Sequence, residues 1–474
     1  MQFTWAIELT ADAGKRLTVY TNTYEDRQGL TNFKDTYITA AGEQSYENYP
    51  WRSGSKLIIE SEAGVTFTKL AYRPSGYSGQ LAGSFRSSDS SLDQLFIECA
   101  NTIAICVRDT FMDCPDRERG PYMGDASNQI DSSLYSYDDS IFPLIKKAIL
   151  ACIAWTPDSK EIPSRAPSMK PTEIPNQVLA FFTSAYHYWL HSGDSETMNA
   201  YYRAFVPYLK LYELNENGLP VYRDGSWTWN DWGEKIDIDL LQVGFYTYAL
   251  RLAKQLAEDL DIHDDDEFLN ERLSSIEQNW RRVYTTDEGF RSENSRYVDD
   301  RANAMLVLAG LAEESDYALI ASVLENTYEA SPFTEKYILD ALGVMERTDL
   351  AVKRMTERYS PMLVDEWDTL WEQFNDITGT RNHAWTAAPQ YILAKYVAGI
   401  RPVAPGWAAY EIAPYPGIES YACSIWTPNG TVSVEKNSSS FTVTVPDGNG
   451  VFILSGQSDT KLETAGTYTF TIEQ

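Results

Sequence analysis

The sequence predicts a mainly α-helical protein in which a closed double ring of six helical pairs lies between two β domains. Two changes of pattern along the 474 residues predict this order. Short runs that alternate apolar and polar residues occur at both ends and are typical of strands, whereas the middle repeats apolar residues at helical spacing. The helices show no fixed repeat length, which favours a closed ring over a helical solenoid.

The N-terminal part, residues 1–80, is predicted to be a β domain. Its runs, such as KLIIESEAGVTFTKLAYR, alternate apolar and polar residues, and Gly and Asn separate them. This alternation places one set of side chains on each face of a strand, and the Gly and Asn residues favour turns between strands.

The central part, residues 81–398, is predicted to contain roughly a dozen helices. The first, SSLDQLFIECANTIAICV, has apolar residues at helical spacing behind a cap rich in Ser and Asp. Alternation returns after Pro402, in TVSVEKNSSSFTVTVPDGNGVFILSG, and Pro446-Asp447-Gly448 marks a turn. Residues 399–474 are therefore predicted to form a small antiparallel β domain.

The charge of the chain disfavours polyanionic partners. With 68 acidic and 39 basic residues the formal net charge is −29, so neither nucleic acid nor a membrane surface is an expected partner. The five cysteines lack a CxxC pair, which indicates free thiols rather than a disulfide framework or a zinc cluster. The N-terminus does not resemble a signal peptide, so a cytoplasmic location is expected, or a periplasmic or secreted one if a leader was removed. The sequence is compatible with a homodimer as well as with a monomer.

One acidic segment, FMDCPDRERGPYMGDASNQI, is a candidate for acid chemistry. It places Asp113, Asp116, Glu118 and Asp125 within thirteen residues, and its Gly and Pro residues predict a loop between helices. Reactive groups are often carried by such loops on a rigid scaffold. From composition alone, a solvated surface loop with balanced charges explains the segment equally well.

Two further segments combine tryptophan with acidic residues. One contains Trp371, Glu372 and His383, and the other, WTWNDWGEK, contains Trp229, Asp231 and Trp232. Flat sugar faces can stack on aromatic rings, and 13 Trp and 31 Tyr are many for this length. Glycoside hydrolysis needs one carboxylic acid for the leaving oxygen and a second carboxylate that activates water or attacks the sugar.

Other reaction classes find little support in the sequence. It has no GxSxG elbow, no phosphate-binding glycine loop, no HExxH and no dinucleotide fingerprint. With four histidines, a histidine-rich metal site is not expected, and neither is a cofactor.

Several motifs resemble those of the bacterial α-L-rhamnosidases of glycoside hydrolase family 78. The segment DCPDRERGPYMGDAS is similar to the acid motif of that family. The order TLWE, NHAW, GIRPVAPGW and EIAPYP is similar to its later motifs. The resemblance covers roughly residues 30–474 and implies an (α/α)6 barrel between an N-terminal β domain and a C-terminal β-sandwich. It also implies an inverting mechanism that requires no metal, and a small oligosaccharide or glycoside carrying L-rhamnose as the substrate.

The resemblance also implies roles for single residues. Glu118 matches the general acid of the family and Glu372 its general base. The residues expected to bind the sugar are Asp113, Arg117, Tyr122, Asp125, Trp229, Asp231, Trp232, Trp371 and His383. The chain departs from the family where many members have Trp, since it has Tyr122 there, and Pro121 replaces a usual Gly. This departure concerns the sugar preference more than the catalysis.

Two alternatives remain open at this point. The same fold and acids could act on a different sugar, such as a glucoside or an unsaturated uronide. A uronide would call for basic residues in the pocket, which these segments mostly lack. The chain could also be a sugar-binding protein without catalysis, although both motif carboxylates are present.

Overall fold

The N-terminal residues form two antiparallel sheets that share one apolar core. The computed structural model describes residues 1–23, 25, 29, 31–364, 366–375 and 377–472. The strands in this part are β1 (Gln2–Ala11), β2 (Arg16–Thr21), β3 (Asp35–Ile38), β4 (Gly42–Glu47), β5 (Arg52–Ser53), β6 (Leu57–Ser61) and β7 (Thr66–Ser75). Strand β1 pairs with β4, β5 and β7 in one sheet, and β2 pairs with β3 and β6 in the other. Alternate side chains of β1 pack against Leu17 and Val19 of β2.

Helices fill the middle of the chain. Within the described residues they are α1 (Ser90–Cys106), α2 (Met123–Ser136), α3 (Phe142–Trp155), α4 (Pro175–Ser192), α5 (Ser195–Leu209), α6 (Ile238–Asp259), α7 (Asp266–Tyr284), α8 (Asp300–Leu308), α9 (Glu314–Asn326), α10 (Pro332–Val344), α11 (Thr348–Leu363) and α12 (Ala388–Ile392). A π-helical turn, Leu393–Val397, continues α12.

Local sequence signals explain where these helices begin and end. The side chain of Asp89 caps α1 by accepting a hydrogen bond from the backbone of Ser91. Helix α4 begins with a proline and ends at Gly193, whose φ of 66° is the left-handed conformation that favours glycine. These observed helix ends therefore coincide with the start and stop signals in the sequence.

The even-numbered helices lie inside and the odd-numbered helices lie outside. Every residue of α2 is buried, although its sequence MGDASNQIDSSLYS is largely polar. Helix α7 is amphipathic and buries only one face. The buried helices pack against one another in chain order from α2 to α12, and α12 packs back against α2.

Ion pairs are buried among the inner helices. Lys336 of α10 pairs with Asp131 of α2, and both side chains are at most 2% exposed. Arg354 of α11 donates to both carboxylate oxygens of Glu335 at 2.8 Å. Since a buried charge without a partner is costly, these pairs constrain which helices lie next to each other.

Two sheets face each other in the C-terminal part. Their strands are β8 (Ser84–Ser87), β11 (Ile400–Pro402), β12 (Tyr410–Ile412), β13 (Tyr421–Thr427), β14 (Gly430–Lys436), β15 (Ser440–Val445), β16 (Gly450–Phe452), β17 (Thr460–Leu462) and β18 (Gly466–Thr471), and a short hairpin of β9 (Thr285–Thr286) and β10 (Gly289–Phe290) lies in the helical part. One sheet has the order β11-β12-β16-β17 and the other β18-β15-β14-β13-β8. The rings of Phe452 and Phe470 stack across the two sheets with centroids 3.7 Å apart.

The predicted order of β, α and β segments is confirmed as a helical domain with β domains. Strand β8 lies inside the range predicted as helical, yet it pairs with β13. All five cysteines are in the described part of the chain, where they are buried with free thiols. None of the described helices combines the length and apolar character that a membrane span requires.

Candidate active site

The predicted catalytic acids meet in a pocket at one end of the inner helices. The pocket is built from the segments that precede α2, α6 and α12 and from the first turns of α2 and α4. Its lining residues are Asp113, Arg117, Glu118, Tyr122, Asp125, Gln177, Trp227, Trp229, Trp232, Glu372, His383 and Trp385. Helix N-termini carry a partial positive charge, which favours carboxylates at this end.

The loop between α1 and α2 carries Glu118, and hydrogen bonds between Asp113 and Gly120 join its two ends. The backbone N–H of Asp113 donates to the carbonyl oxygen of Gly120 at 3.0 Å. The backbone N–H of Gly120 in turn donates to Asp113 Oδ1 at 2.6 Å. A Cβ atom on Gly120 would lie 2.7 Å from the ring of Tyr122, so only glycine fits there. The loop is thus a compact turn with Glu118 near its tip.

The N-terminal β domain holds this loop from outside. Ser53 Oγ donates to Asp116 Oδ1 at 2.6 Å, and Asn382 also donates to the buried carboxylate of Asp116. The guanidinium of Arg119 lies 3.5 Å from the ring centroid of Trp51. Arg119 has a φ of 52°, an uncommon value for a residue other than glycine. The conformation next to Glu118 therefore depends on contacts with a different domain.

Arg117 joins the two predicted catalytic residues. Its Nε donates to Glu118 Oε2 at 3.1 Å and its Nη2 to Glu372 Oε2 at 3.0 Å. Since one guanidinium reaches both, the carboxylates lie on the order of 8 Å apart at most. Two acids 254 positions apart in the sequence thus face the same pocket.

Asp113 and Glu118 form a coupled pair of carboxyl groups. Burial raises the pKa of Asp113 well above its ordinary value, and the nearby Glu118 contributes to this rise. Burial also disfavours ionised Glu118, but its hydrogen bond with Asp113 and the charge of Arg117 lower its pKa overall. In the unliganded pocket, therefore, Asp113 holds a proton more readily than Glu118 does.

Glu372 is buried and fixed by backbone and side-chain donors. Its Oε2 accepts a hydrogen bond from the backbone N–H of Thr380 at 2.8 Å. Gly379, with a φ of 77°, allows this close approach, because a Cβ atom there would lie 2.8 Å from the Glu372 carboxylate. The side chain of Glu372 is 5% exposed, compared with 42% for Glu118.

His383 connects Glu372 with Asp125. Its Nε2 lies 2.8 Å from Asp125 Oδ1, and its Nδ1 lies 3.7 Å from Glu372 Oε2. Burial opposes protonation of His383, but the charges of Glu372 and Asp125 raise its pKa overall. Burial also raises the pKa of Asp125. The three groups form a polar wall on the base side of the pocket.

Tryptophan rings continue the pocket lining from His383, since the rings of His383 and Trp385 lie with centroids 4.2 Å apart. Trp229 and Trp385 are stacked with centroids 5.9 Å apart and an interplanar angle of 13°. Trp385 Nε1 donates to the carbonyl oxygen of Glu372 at 2.9 Å. The Nε1 atoms of Trp229 and Trp232 are buried and have no hydrogen-bond partner among the described residues. These rings therefore offer an aromatic surface to a ligand.

Tyr122 is fixed by an arginine from the next loop. Arg165 Nη1 donates to the Tyr122 hydroxyl at 3.0 Å, and the guanidinium lies 5.0 Å from the ring centroid. Tyr122, at which the chain departs from the family motif, therefore has a hydrogen-bond partner that orients its ring at the pocket edge.

The structure brings most of the predicted residues together, but not all. Asp231 does not line the pocket: its side chain is fully buried and paired with Arg301, and Oδ2 accepts from the backbone N–H of Ser331 at 2.9 Å. Trp371 is buried in the apolar core and does not line the pocket either. Both residues shape the wall from behind.

Three lining residues were not among the predicted sugar-binding residues. Trp227 and Trp385 belong to the two tryptophan-rich segments, so the sequence carried a signal for them. Gln177 lies in the first turn of α4, and no feature of the sequence marked it.

Three neighbouring side chains at the pocket carry atoms of the kinds that can bind a metal. Ligand atoms of Asp113, Cys114 and Glu118 lie within 4.8 Å of one another in the described part of the chain. Cys114 Sγ donates to Asp113 Oδ2 at 3.2 Å. Burial raises the pKa of Cys114 well above its usual value, which opposes the thiolate that metal binding needs.

The chain is similar in fold to solved rhamnosidases. A rhamnosidase of glycoside hydrolase family 78 from Bacillus sp. GL1 matches with a TM-score of 0.84 and 22% identity, over 96% of this chain and 52% of that one. An α-L-rhamnosidase from Streptomyces avermitilis, complexed with L-rhamnose, matches with a TM-score of 0.82 and 15% identity, over 100% and 51%. A rhamnosidase from Klebsiella oxytoca with rhamnose bound matches with a TM-score of 0.73 and 17% identity, over 83% and 85%.

The chain spans about half the length of the first two of these proteins. The curated proteins contain no match to this sequence. Residues 80–397 match the family model of a glycosidase domain, and they make up most of the helical part. The model is that of the bacterial α-L-rhamnosidase six-hairpin glycosidase domain, and the chain belongs to this family. The resemblance seen in the sequence motifs is confirmed.

Proposed function

We propose that the protein is an inverting glycoside hydrolase that releases terminal α-L-rhamnose from small oligosaccharides or glycosides. The observation that carries the proposal is the pocket in which Arg117 bridges Glu118 and Glu372 beside a tryptophan wall. The L-rhamnose bound by one protein of similar fold and the rhamnose bound by another support the choice of sugar.

Glu118 is the proposed general acid. It is the more exposed of the two carboxyl groups, as expected for a group that must reach the leaving oxygen. Its pKa is lowered partly by Asp113, which holds a proton next to it. A bound sugar that excludes water from Glu118 raises this pKa by desolvation, so the proton shared by the two carboxyl groups moves to Glu118 for donation.

Glu372 is the proposed general base. Thr380 and Arg117 both bind its Oε2, which fixes the carboxylate while Oε1 has no recorded partner among the described residues. The upper limit of about 8 Å between the two acids is compatible with the lower half of the range of about 6.5–9.5 Å that leaves room for an attacking water. Water activated by Glu372 attacks the anomeric carbon from the face opposite the leaving group and inverts its configuration.

The pocket wall supplies hydrogen bonds to the sugar hydroxyl groups. Asp125 and His383 offer acceptors and donors, and the rings of Trp229 and Trp232 offer an aromatic surface on which the sugar can pack. Apart from Arg117, which pairs with both acids, the pocket lining contains no arginine or lysine among the described residues. This composition favours a neutral sugar over a uronide.

The architecture proposed with this function is an (α/α)6 barrel. The return of α12 onto α2 supports a closed ring of inner helices, with the odd-numbered helices as the outer layer. The proposed domains are 1–80, 81–398 and 399–474, with a β-sandwich at the C-terminus.

The catalytic assignment is tested with Glu118→Gln and Glu372→Gln on an aryl α-L-rhamnoside. Each substitution is expected to lower kcat by on the order of 10²–10⁴, because each removes one positioned proton-transfer group. Glu366→Gln is the matched control, since Glu366 precedes Glu372 by six residues and its side chain is 72% exposed. Wild-type kcat in either catalytic variant would refute the assignment.

Stereochemistry and sugar choice need separate measurements. Proton NMR during hydrolysis should show the β-anomer of rhamnose first, and early α-anomer would contradict inversion. A panel of aryl glycosides separates the rhamnosidase from a glycosidase acting on another sugar. Binding of rhamnose without turnover of any member of the panel would favour a non-catalytic protein.

A further inference from the structure

A second and larger cavity lies beside the candidate active site. It has a volume of about 550 Å³ and lies between the 155–173 segment and the 211–226 segment. Small-molecule sites in proteins typically have volumes of about 300–1,000 Å³. The acid-lined pocket is much smaller, at about 70 Å³. The chain thus offers more space for a ligand outside its catalytic pocket than inside it.

The cavity has a wall with both aromatic and polar groups. Trp155, the last residue of α3, lines the cavity, and 43% of its surface is exposed. Tyr222 lines the other side, together with the exposed carboxylates of Glu213 and Asp224. An exposed indole beside hydrogen-bonding groups suits a flat ring that carries hydroxyl groups.

The charges of the cavity favour a neutral ligand. Arg223 is the one basic residue among its described lining residues, and both Nε and Nη2 are bound by Glu173, at 2.7 and 3.0 Å. A second carboxylate oxygen, Glu161 Oε1, lies 3.6 Å from Arg223 Nη2. The remaining carboxylates therefore leave the cavity negative, and an anionic ligand would be repelled.

The cavity and the catalytic pocket share a wall. The backbone N–H groups of Ser226 and Trp227 both donate to the carbonyl oxygen of Glu173, at 3.0 and 3.2 Å. Ser226 lines the cavity and Trp227, the next residue, lines the catalytic pocket. Gly225 permits this tight contact, because a Cβ atom there would lie 2.7 Å from the same carbonyl oxygen. One short loop thus separates the two spaces.

We infer that this cavity binds neutral sugar units on the leaving-group side of the substrate. The inference rests on the proposed function, since it places a terminal rhamnose in the acid-lined pocket and the rest of an oligosaccharide beyond Trp227. Trp155 stacks on one hexose ring, and Glu213 and Asp224 accept hydrogen bonds from its hydroxyl groups. The protein then prefers an oligosaccharide to a small aryl glycoside.

The test compares two substrates in the full-length protein. One is 4-nitrophenyl α-L-rhamnopyranoside, which fills only the acid-lined pocket. The other is a set of trisaccharides, in several linkages, that carry terminal α-L-rhamnose on two neutral hexoses. Trp155→Ala is expected to raise KM for the best trisaccharide about five- to tenfold and to leave kcat/KM for the aryl rhamnoside unchanged.

Two further variants make the comparison specific. Leu150→Ala is the control, because Leu150 lies on the same helix, is 42% exposed and does not line the cavity. Val221→Trp fills the cavity from the opposite wall, where Val221 is 44% exposed, and should act like Trp155→Ala. Trisaccharides with a uronic acid as the middle unit should be cleaved more slowly than the neutral ones.

The possible outcomes separate the two proposals. If the wild-type protein hydrolyses the aryl rhamnoside but both cavity variants keep its trisaccharide KM, the cavity inference is refuted alone. Faster cleavage of the uronic acid substrates would also refute it, because the charge argument would be wrong. If the wild-type protein cleaves neither substrate class, both the function and the inference are overturned.

Discussion

At the residue scale, the proposed acid chemistry depends on the two neighbouring carboxyl groups of Asp113 and Glu118. A lone glutamate beside Arg117 would stay ionised and could not donate a proton at neutral pH. Asp113 changes this situation, since burial raises its pKa and it holds a proton in contact with Glu118. The pair keeps this proton to a higher pH than an ordinary carboxyl group would.

Removing the second carboxyl group should therefore change the pH profile. In Asp113→Asn the raised pKa of Asp113 is lost and the group that titrates is Glu118, whose pKa Arg117 lowers, so the basic limb of kcat/KM moves to lower pH. The overall rate also drops, because Asp113 lines the pocket. Only the position of the limb is diagnostic, and a limb that stays in place or moves upward would contradict the proton-sharing pair.

The tryptophan rings of the pocket lead to a second prediction. Trp232→Phe keeps an aromatic ring but removes part of the pocket lining, so KM for an aryl α-L-rhamnoside should rise about two- to tenfold while kcat changes little. Trp426→Phe, in strand β13, is the control and should leave both constants unchanged. An unchanged KM for the Trp232 variant would show that the sugar does not pack on this ring.

Sequence patterns identified the chemical groups of the pocket better than their orientation. Glu118, Glu372 and His383 stand in motifs, and they line the pocket. Asp231 stands between tryptophans in the sequence, but its carboxylate is fully buried against Arg301. Residue spacing in an irregular loop does not determine which side chain faces the pocket. Gln177 was missed because it comes from a helix without a motif.

At the element scale, the catalytic loop is held by a domain other than its own. Trp51 and Ser53 of the N-terminal β domain contact Arg119 and Asp116, on either side of Glu118. Arg119 keeps an unfavourable φ, and such conformations persist only where the surroundings hold them. The β domain thus holds the loop of the proposed acid in place, although none of its described residues lines the pocket.

Trp51→Ala should lower kcat about ten- to a hundredfold, because a small displacement of a positioned acid has a large effect on rate. KM for the aryl α-L-rhamnoside should change less, since the sugar contacts Asp125, His383 and the tryptophan wall stay in place. Trp51→Phe should restore most of the rate by keeping an aromatic face for Arg119. Tyr49→Ala, at a neighbouring and 90% exposed position, is the control. Full kcat in Trp51→Ala would show that the contact does not position Glu118.

At the scale of the whole molecule, buried ion pairs connect the inner helices. Burial by itself would raise the pKa of Asp131, but the charges of Lys336 and His187 lower it far below its ordinary value. A carboxyl group with a lowered pKa in the folded state stabilises the protein above its unfolded pKa of about 3.9. This contribution is lost as the pH falls from that value through the folded pKa.

Lys336→Met should therefore lower the free energy of unfolding by about 3–5 kcal/mol, since it leaves the Asp131 carboxylate buried without its main partner. The loss should be greatest near neutral pH, where Asp131 is ionised in the wild-type protein, and it should shrink as the pH falls below 4. Lys353→Met removes a pair whose side chains are 44% and 41% exposed, and it should change stability by less than about 1 kcal/mol. Thermal melts across this pH range provide the measurement. Equal effects of the two substitutions would refute the role of the buried pair.

The global arrangement was only partly visible in the sequence. The amphipathic outer helices, such as α7, show helical periodicity because one face meets water. Helix α2 has no such contrast, since all of its residues are buried and most of its polar side chains form hydrogen bonds inside the protein. Closure of α12 onto α2 joins segments more than 250 residues apart, which no local pattern encodes. The pairing of β8 with β13 was missed for the same reason.

This pairing of β8 with β13 has a consequence for biosynthesis. Ser84 and Ser424, whose hydroxyl groups lie 2.7 Å apart, are separated by 340 positions in the chain. At translation rates of about 5–20 residues per second, Ser84 leaves the ribosome roughly 17–68 s before its partner is made. During this interval strand β8 has no partner strand, and the apolar side chain of Phe85, which is buried in the folded protein, stays exposed. A nascent chain stalled before β13 should therefore be a better chaperone substrate than the completed protein.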